Sequence, residues 1–206
     1  MGSFVVHSGQ AKNVISNDTE YNIVDILENS EQEQYIVNEI PSKPTYNISL
    51  AQEYQDLIYN LCEINDLSYE LVLAIFYHES KFNIYGINKN KDGSSDRGIS
   101  MINSKYIDTY KEFAIKYCDF PKNKELDVFN PEDSIRAGIG GLVYYKKYFQ
   151  DKKISNKYFV PYILGYYNMG ISGYEEYIRK NGIKNRKYDK VIIELKNKLE
   201  QTGNFI

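Results

Sequence analysis

Residues 76 to 104 read FYHESKFNIYGINKNKDGSSDRGISMINS. Upstream of this stretch, Ser68 suits a helix N-cap and Glu70 suits the positive end of the helix dipole, while Leu71 to Ser80 contain neither Gly nor Pro. A helix is therefore expected here, with Glu79 in its last turn among Val72, Ile75 and Phe76. An acid in apolar surroundings at the negative end of a helix has its charged form disfavoured twice over, so its pKa should rise. Taken alone, Glu79 reads equally as a surface acid or as the partner of a structural Arg. From Asn88 through Asn90, Asp92, Gly93, Ser94 and Ser95 the composition turns loop-like, ending at Asp96. Gly98 to Ile102 is expected as a short strand, with Gly98 allowing a close backbone approach.

One carboxyl in a greasy setting and a second in a wet, hydrogen-bonded one is what glycoside hydrolysis requires: a proton donor, and a group that supports an oxocarbenium-like centre. Glu79, Ser80, Phe82, Asn83, Asn88, Asn90, Asp92, Gly93, Ser94, Asp96, Gly98, Ile99, Ile102, Asn103 and Ser104 resemble, without a gap, the catalytic segment of c-type lysozymes, and a similar segment occurs in lytic transglycosylases. The resemblance implies Glu79 as general acid and Asp96 as second carboxylate, with Asn90 and Asn103 as hydrogen-bond neighbours. It also implies that Ser80, Gly98 and Met101 border the substrate. Two positions depart from that pattern: Met101 stands where Gln is usual, which removes a cleft amide, and Arg97 where Tyr is common. Arg97 either acts on the neighbouring Asp96 or points to solvent.

The chain has 206 residues, enough for one domain of about 150 plus an extension. A net charge of −3 with scattered Lys, Asp and Glu disfavours nucleic acid as a partner. The chain has 21 Tyr and no Trp, and Tyr can stack on sugars. Cys62 and Cys118 are read as buried free thiols, and His7 and His78 make no case for zinc or for a Ser/His/Asp triad. Asn88-x-Asn90-x-Asp92-Gly93 fails as a calcium loop, because its twelfth position is Ile99. No cofactor or metal is expected. No apolar run approaches a membrane span, and the start carries neither a signal-peptide pattern nor a myristoylation pattern.

Residues 1–48 mix short β-prone pieces with an acidic, Gln-rich run and two prolines, and are expected to be a poorly ordered extension or linker. The alternative is an arm for a virion or secretion-apparatus partner. Residues 49–206 form the expected domain. Ser49 would cap a helix carrying Leu50, Tyr54, Leu57, Ile58 and Leu61; another helix runs from about Lys105 with Tyr106, Ile107, Tyr110, Phe113, Ala114 and Tyr117 on one side. Asn130-Pro131-Glu132-Asp133 is a strong helix start, and Gly138, Gly140 and Gly141 beyond it imply close packing of a neighbour. Tyr158 to Tyr167 should be buried helix, stopped by Gly170 and Gly173.

A second resemblance, to soluble-type lytic transglycosylases, rests on the Asn130-Pro131 helix and on Tyr167-Asn168-x-Gly170. It implies that Tyr167 and Asn168 border the cleft and that Tyr188, on a last helix from about Arg186 to Leu199, faces the acid. The fold implied is lysozyme-like and mainly α (α+β), a helical domain with a short β-hairpin or loop lining a glycan cleft. The activity implied is peptidoglycan cleavage at the β-1,4 bond from N-acetylmuramic acid to N-acetylglucosamine, either forming a 1,6-anhydro ring or hydrolysing. A non-catalytic glycan-binding module is the reading from another class, and chitin-type polymers are a third possibility. Action at the bacterial cell wall is expected; with no export signal visible, the protein would be phage-released, virion-associated or a fragment of a secreted protein.

Overall fold

The computed structural model describes residues 43–184 and 186–206. The readings made for residues 1–42 lie outside the described residues. The globular unit begins at Lys43, earlier than the boundary at 49 expected from the sequence. Tyr46 stacks on Tyr69 at 5.7 Å and donates a hydrogen bond to Glu70 Oε1 at 2.9 Å. Asn47 N–H donates to the Gly203 carbonyl at 2.9 Å, so these residues are part of the packed body.

Helix α1 spans Gln52–Asn65, and its N-cap is Ala51 rather than Ser49. The Gln55 amide holds the preceding chain instead, donating to the Leu50 carbonyl at 2.9 Å and to that of Tyr46 at 3.3 Å. At the other end, the nearly buried Lys146 ammonium donates to the Asn65 carbonyl at 3.0 Å, a group the helix leaves open, and pairs with Asp66 Oδ2 at 2.6 Å. Helix α2 spans Tyr69–Ser80 and has Ser68 as its N-cap, accepting from Leu71 N–H at 3.2 Å. Val72 to Phe76 are all buried, so this helix is apolar on every side and serves as the centre of the core. Full burial of a side chain such as Phe76 contributes about 1.5–3 kcal/mol. Helices α1 and α6 (Lys187–Thr202) flank α2. It ends abruptly because Lys81 (φ 55°) and Phe82 (φ 62°) both take left-handed conformations, leaving Glu79 at the rim of the core.

Three short antiparallel strands follow, β1 (Ile87–Lys89), β2 (Ser95–Arg97) and β3 (Ile102–Asn103), in the order β1-β2-β3. The strand expected over Gly98 to Ile102 is mostly a turn: Gly98 (φ 75°) and Met101 (φ 51°) reverse the chain, and only Ile102 pairs. Asp96 is accordingly on the central strand rather than in a loop. Helix α3 is Ile107–Tyr117 and α4 is Pro131–Asp151, capped by Asn130, whose Oδ1 accepts from Asp133 N–H at 3.1 Å. The glycines of α4 admit close neighbours: a Cβ on Gly140 would lie 2.8 Å from the Phe113 backbone, and one on Gly138 would lie 2.5 Å from Ser100 Cβ.

After a 3-10 turn at Asn156–Tyr158, helix α5 runs Phe159–Asn181. Gly170, at φ 68° and ψ 166°, kinks this helix without ending it, and a second helical segment continues through Gly173. A residue with a side chain is strained at that φ, which is why the break sits on Gly. Cys62 and Cys118 are both buried free thiols. Among the described residues, no helix is long and apolar enough to cross a membrane.

Candidate active site

The sheet register places Asp96 directly opposite Asn88 on one side and Asn103 on the other. Cross-strand partners project from the same face, so the three side chains form one row. Asp96 Oδ1 accepts from Asn103 Nδ2 at 2.8 Å, and Oδ2 accepts from Asn90 Nδ2 at 3.2 Å and Asn88 Nδ2 at 3.4 Å. The hairpin is braced from behind: Asp92 Oδ1 accepts from Ser94 N–H at 3.0 Å, and Lys105 pairs with Asp92 at 2.8 Å. Arg97 turns away from acids to donate from Nε to Ser95 Oγ at 2.7 Å.

Glu79 is placed by the last turn of α2, and its Oε1 accepts a 2.5 Å hydrogen bond from the Tyr188 hydroxyl of α6. Burial pushes the Glu79 carboxyl up from its ordinary pKa and the negative charge of Asp96 adds to that, while the Tyr188 bond works in the opposite direction. His78 packs edge-on to the Tyr188 ring at 5.0 Å, and burial favours its neutral form.

Glu79 and Asp96 line one cleft of about 800 Å³ together with Asn88, Asn90, Met101 and Asn103. Tyr167 and Asn168 of α5 also line it, and the Tyr167 hydroxyl donates to the Ser100 carbonyl at 2.6 Å, tying α5 to the turn after β2. That turn is fixed to α4 as well, since Ser100 Oγ donates to the Ser134 carbonyl at 2.6 Å.

Ser80 and Gly98 do not line the cleft. Ser80 Oγ donates to the Ile99 carbonyl at 2.7 Å, which locks α2 to the turn, and a Cβ on Gly98 would stand 1.9 Å from the Val128 carbonyl oxygen. Both shape the site from behind. Tyr188 reaches the site through its bond to Glu79.

A wall of aromatic residues escaped the sequence reading. Tyr106, Tyr110 and Phe113 of the α3 region line the cleft together with Tyr144 and Tyr145 of α4. Phe113 stacks on Tyr144 at 4.3 Å, and the Tyr110 and Tyr145 hydroxyls pair at 3.1 Å. Periodicity had placed the α3 residues on one apolar helix face, and that signal is the same whether the face meets a core or a groove. Among the residues lining the cleft, Met169 of α5 is 41% exposed and Tyr106 56%, so both present apolar surface to an incoming chain. The arrangement offers a half-buried carboxyl whose proton is held more tightly than usual, a fixed carboxylate and aromatic faces of the kind that hold sugar rings.

The profile described as "Transglycosylase SLT domain" matches residues 56–190. Human "Lysozyme-like protein 6" is 41% identical over 68 residues, which is 32% of this chain and 43% of that protein. The chain thus spans less than half the length of that relative.

Proposed function

The chain belongs to the transglycosylase SLT domain family, a lysozyme-like, mainly helical family acting on peptidoglycan, and from this we propose that it cleaves the β-1,4 bond between N-acetylmuramic acid and N-acetylglucosamine. Glu79 donates its proton to the departing 4-oxygen of N-acetylglucosamine, and positive charge develops at the muramyl C1. The carboxylate left on Glu79 then takes the proton from the muramyl 6-hydroxyl as that oxygen closes on C1, which yields a 1,6-anhydro ring. Asp96, held by three amides, faces the developing charge. The observation that carries this reading is the desolvated Glu79 in one cleft with Asp96; the family match favours the anhydro outcome.

A second reading, hydrolysis by water with Asp96 as the supporting carboxylate, is favoured by the clamp of Asn88, Asn90 and Asn103 on Asp96. Mass spectrometry of wall digested by the purified protein separates the two. Anhydro-muropeptides, one water lighter than hydrolysis products, are expected. Products carrying only reducing muramic ends refute the transglycosylase, and absence of any cleavage of a suitable wall leaves the non-catalytic glycan-binding module.

Cell-wall glycan is the partner this reading implies, whether released by a phage, carried on a virion or exported. Ser80 and Gly98 act in it by shaping the turn, and Asn90, Met101, Asn103, Tyr167, Asn168 and Tyr188 act by touching sugar or acid.

A further inference from the structure

Arg186, the residue that caps α6, links the cleft wall to the acid's partner. Its Nη1 donates to Asn168 Oδ1 at 3.1 Å, while Nε and Nη2 donate to the two oxygens of Asp189 at 3.2 and 2.6 Å. The pair is withdrawn from water, with side-chain exposures of 9% for Arg186 and 0% for Asp189. The guanidinium carbon lies 5.0 Å from the Tyr174 ring centre and 5.4 Å from that of Tyr188, the phenol that bonds Glu79. Asp189 also accepts from Arg186 N–H at 2.9 Å, so the side chain and the helix start are fixed together.

A guanidinium has only donors, so the Asn168 atom facing it is the amide oxygen. The usual ambiguity between the two ends of an Asn amide is thereby removed by chemistry. With Oδ1 engaged, the Nδ2 hydrogens are what the exposed Asn168 offers to the cleft. We propose that Arg186 is a positioning residue that makes Asn168 a one-way hydrogen-bond donor, set to recognise the carbonyl oxygen of an N-acetyl group on the glycan. This rests on the glycan-cleft reading above. An acetamido carbonyl only accepts, so it matches such a donor. A de-acetylated sugar presents an ammonium with donors alone, and two donors then face each other.

The test compares binding of the N-acetylglucosamine tetramer and the fully de-N-acetylated tetramer to the full chain by calorimetry, with thermal midpoints as a fold check. Wild type is expected to prefer the acetylated tetramer. Asn168→Leu should reduce that preference roughly five- to tenfold, the worth of one hydrogen bond. Arg186→Lys keeps the charge but loses the fork, and should reduce the preference severalfold in the wild-type background and not at all on top of Asn168→Leu. An undiminished preference in Asn168→Leu overturns the assignment, as does an Arg186→Lys effect equal in both backgrounds. If wild type binds and cuts glycan while the variants give either result, only this inference is refuted; a wild type that binds neither tetramer and leaves the wall intact refutes the glycan-cleft reading together with it.

Discussion

Replacing Glu79 with Gln keeps the shape of the side chain and an oxygen for the Tyr188 hydroxyl, and removes only the proton chemistry and the charge. Loss of a general acid costs about 10²- to 10⁴-fold in rate, so lysis of a wall suspension should fall by at least that range. The same substitution has a consequence for stability that activity alone does not reveal. Glu79's carboxyl binds its proton more tightly in the folded chain than in the unfolded one, because burial and Asp96 outweigh the Tyr188 bond. Below the unfolded pKa both states are protonated and the contribution of the group is fully present. As pH rises through the folded pKa it is lost, since the unfolded chain releases the proton first and gains from doing so. Each unit of upward displacement corresponds to about 1.4 kcal/mol, and in a domain of this size 1 kcal/mol moves Tm by about 2–4 °C. The Gln variant has no such loss. Its Tm should therefore match wild type near pH 4, exceed it increasingly as pH climbs from the unfolded to the folded pKa of Glu79, and keep a constant margin above that, read by calorimetry across pH. Parallel Tm profiles for the two proteins would refute a desolvated Glu79, and persisting lysis in the variant would refute its role as the acid.

Four further variants have outcomes that follow from the structure. Tyr188→Phe removes the one contact that favours ionised Glu79, so the alkaline limb of the pH–activity profile should move to higher pH; movement downward contradicts the hydrogen bond as drawn. Asp96→Asn removes the like charge and should move that limb to lower pH; it should also cut the rate far more if water, rather than the muramyl 6-hydroxyl, is the acceptor. Gly140→Ala gains about 1 kcal/mol of helix propensity but meets the α3 backbone at 2.8 Å, an overlap costing about 1–3 kcal/mol, so Tm should fall. Gly173→Ala, whose nearest neighbour would be Met169 Cβ at 3.4 Å, should raise Tm instead, and calorimetry of the two variants side by side checks both signs.

Much that is local was legible in the chain itself. Ser68 and Asn130 announced their helices because a side-chain oxygen followed by a first turn of acids or Pro has few other uses. The three glycines of α4 implied a close neighbour, and α3 is that neighbour for Gly140 and Gly141. Signals that depended on a single residue's conformation went astray. Gly170 was read as a stop, yet Ile171 and the residues after it resume the helix beyond the kink. Ser49 looked like a cap, but Gln55 organises that entry from inside.

By itself the sequence determined which helix end carries Glu79 and which polar stretch carries Asp96, because helical spacing and turn chemistry are short-range properties written in neighbouring residues. Tertiary structure alone decided that Asn88, Asp96 and Asn103 stand in one row, since strand register is a property of paired segments. It also decided that aromatic rings of α3 and α4 border the groove as well as the core, and that Tyr188, 109 positions further on, delivers its hydroxyl to Glu79. These depend on how whole helices pack, a sum over contacts between distant parts of the chain that no local pattern encodes.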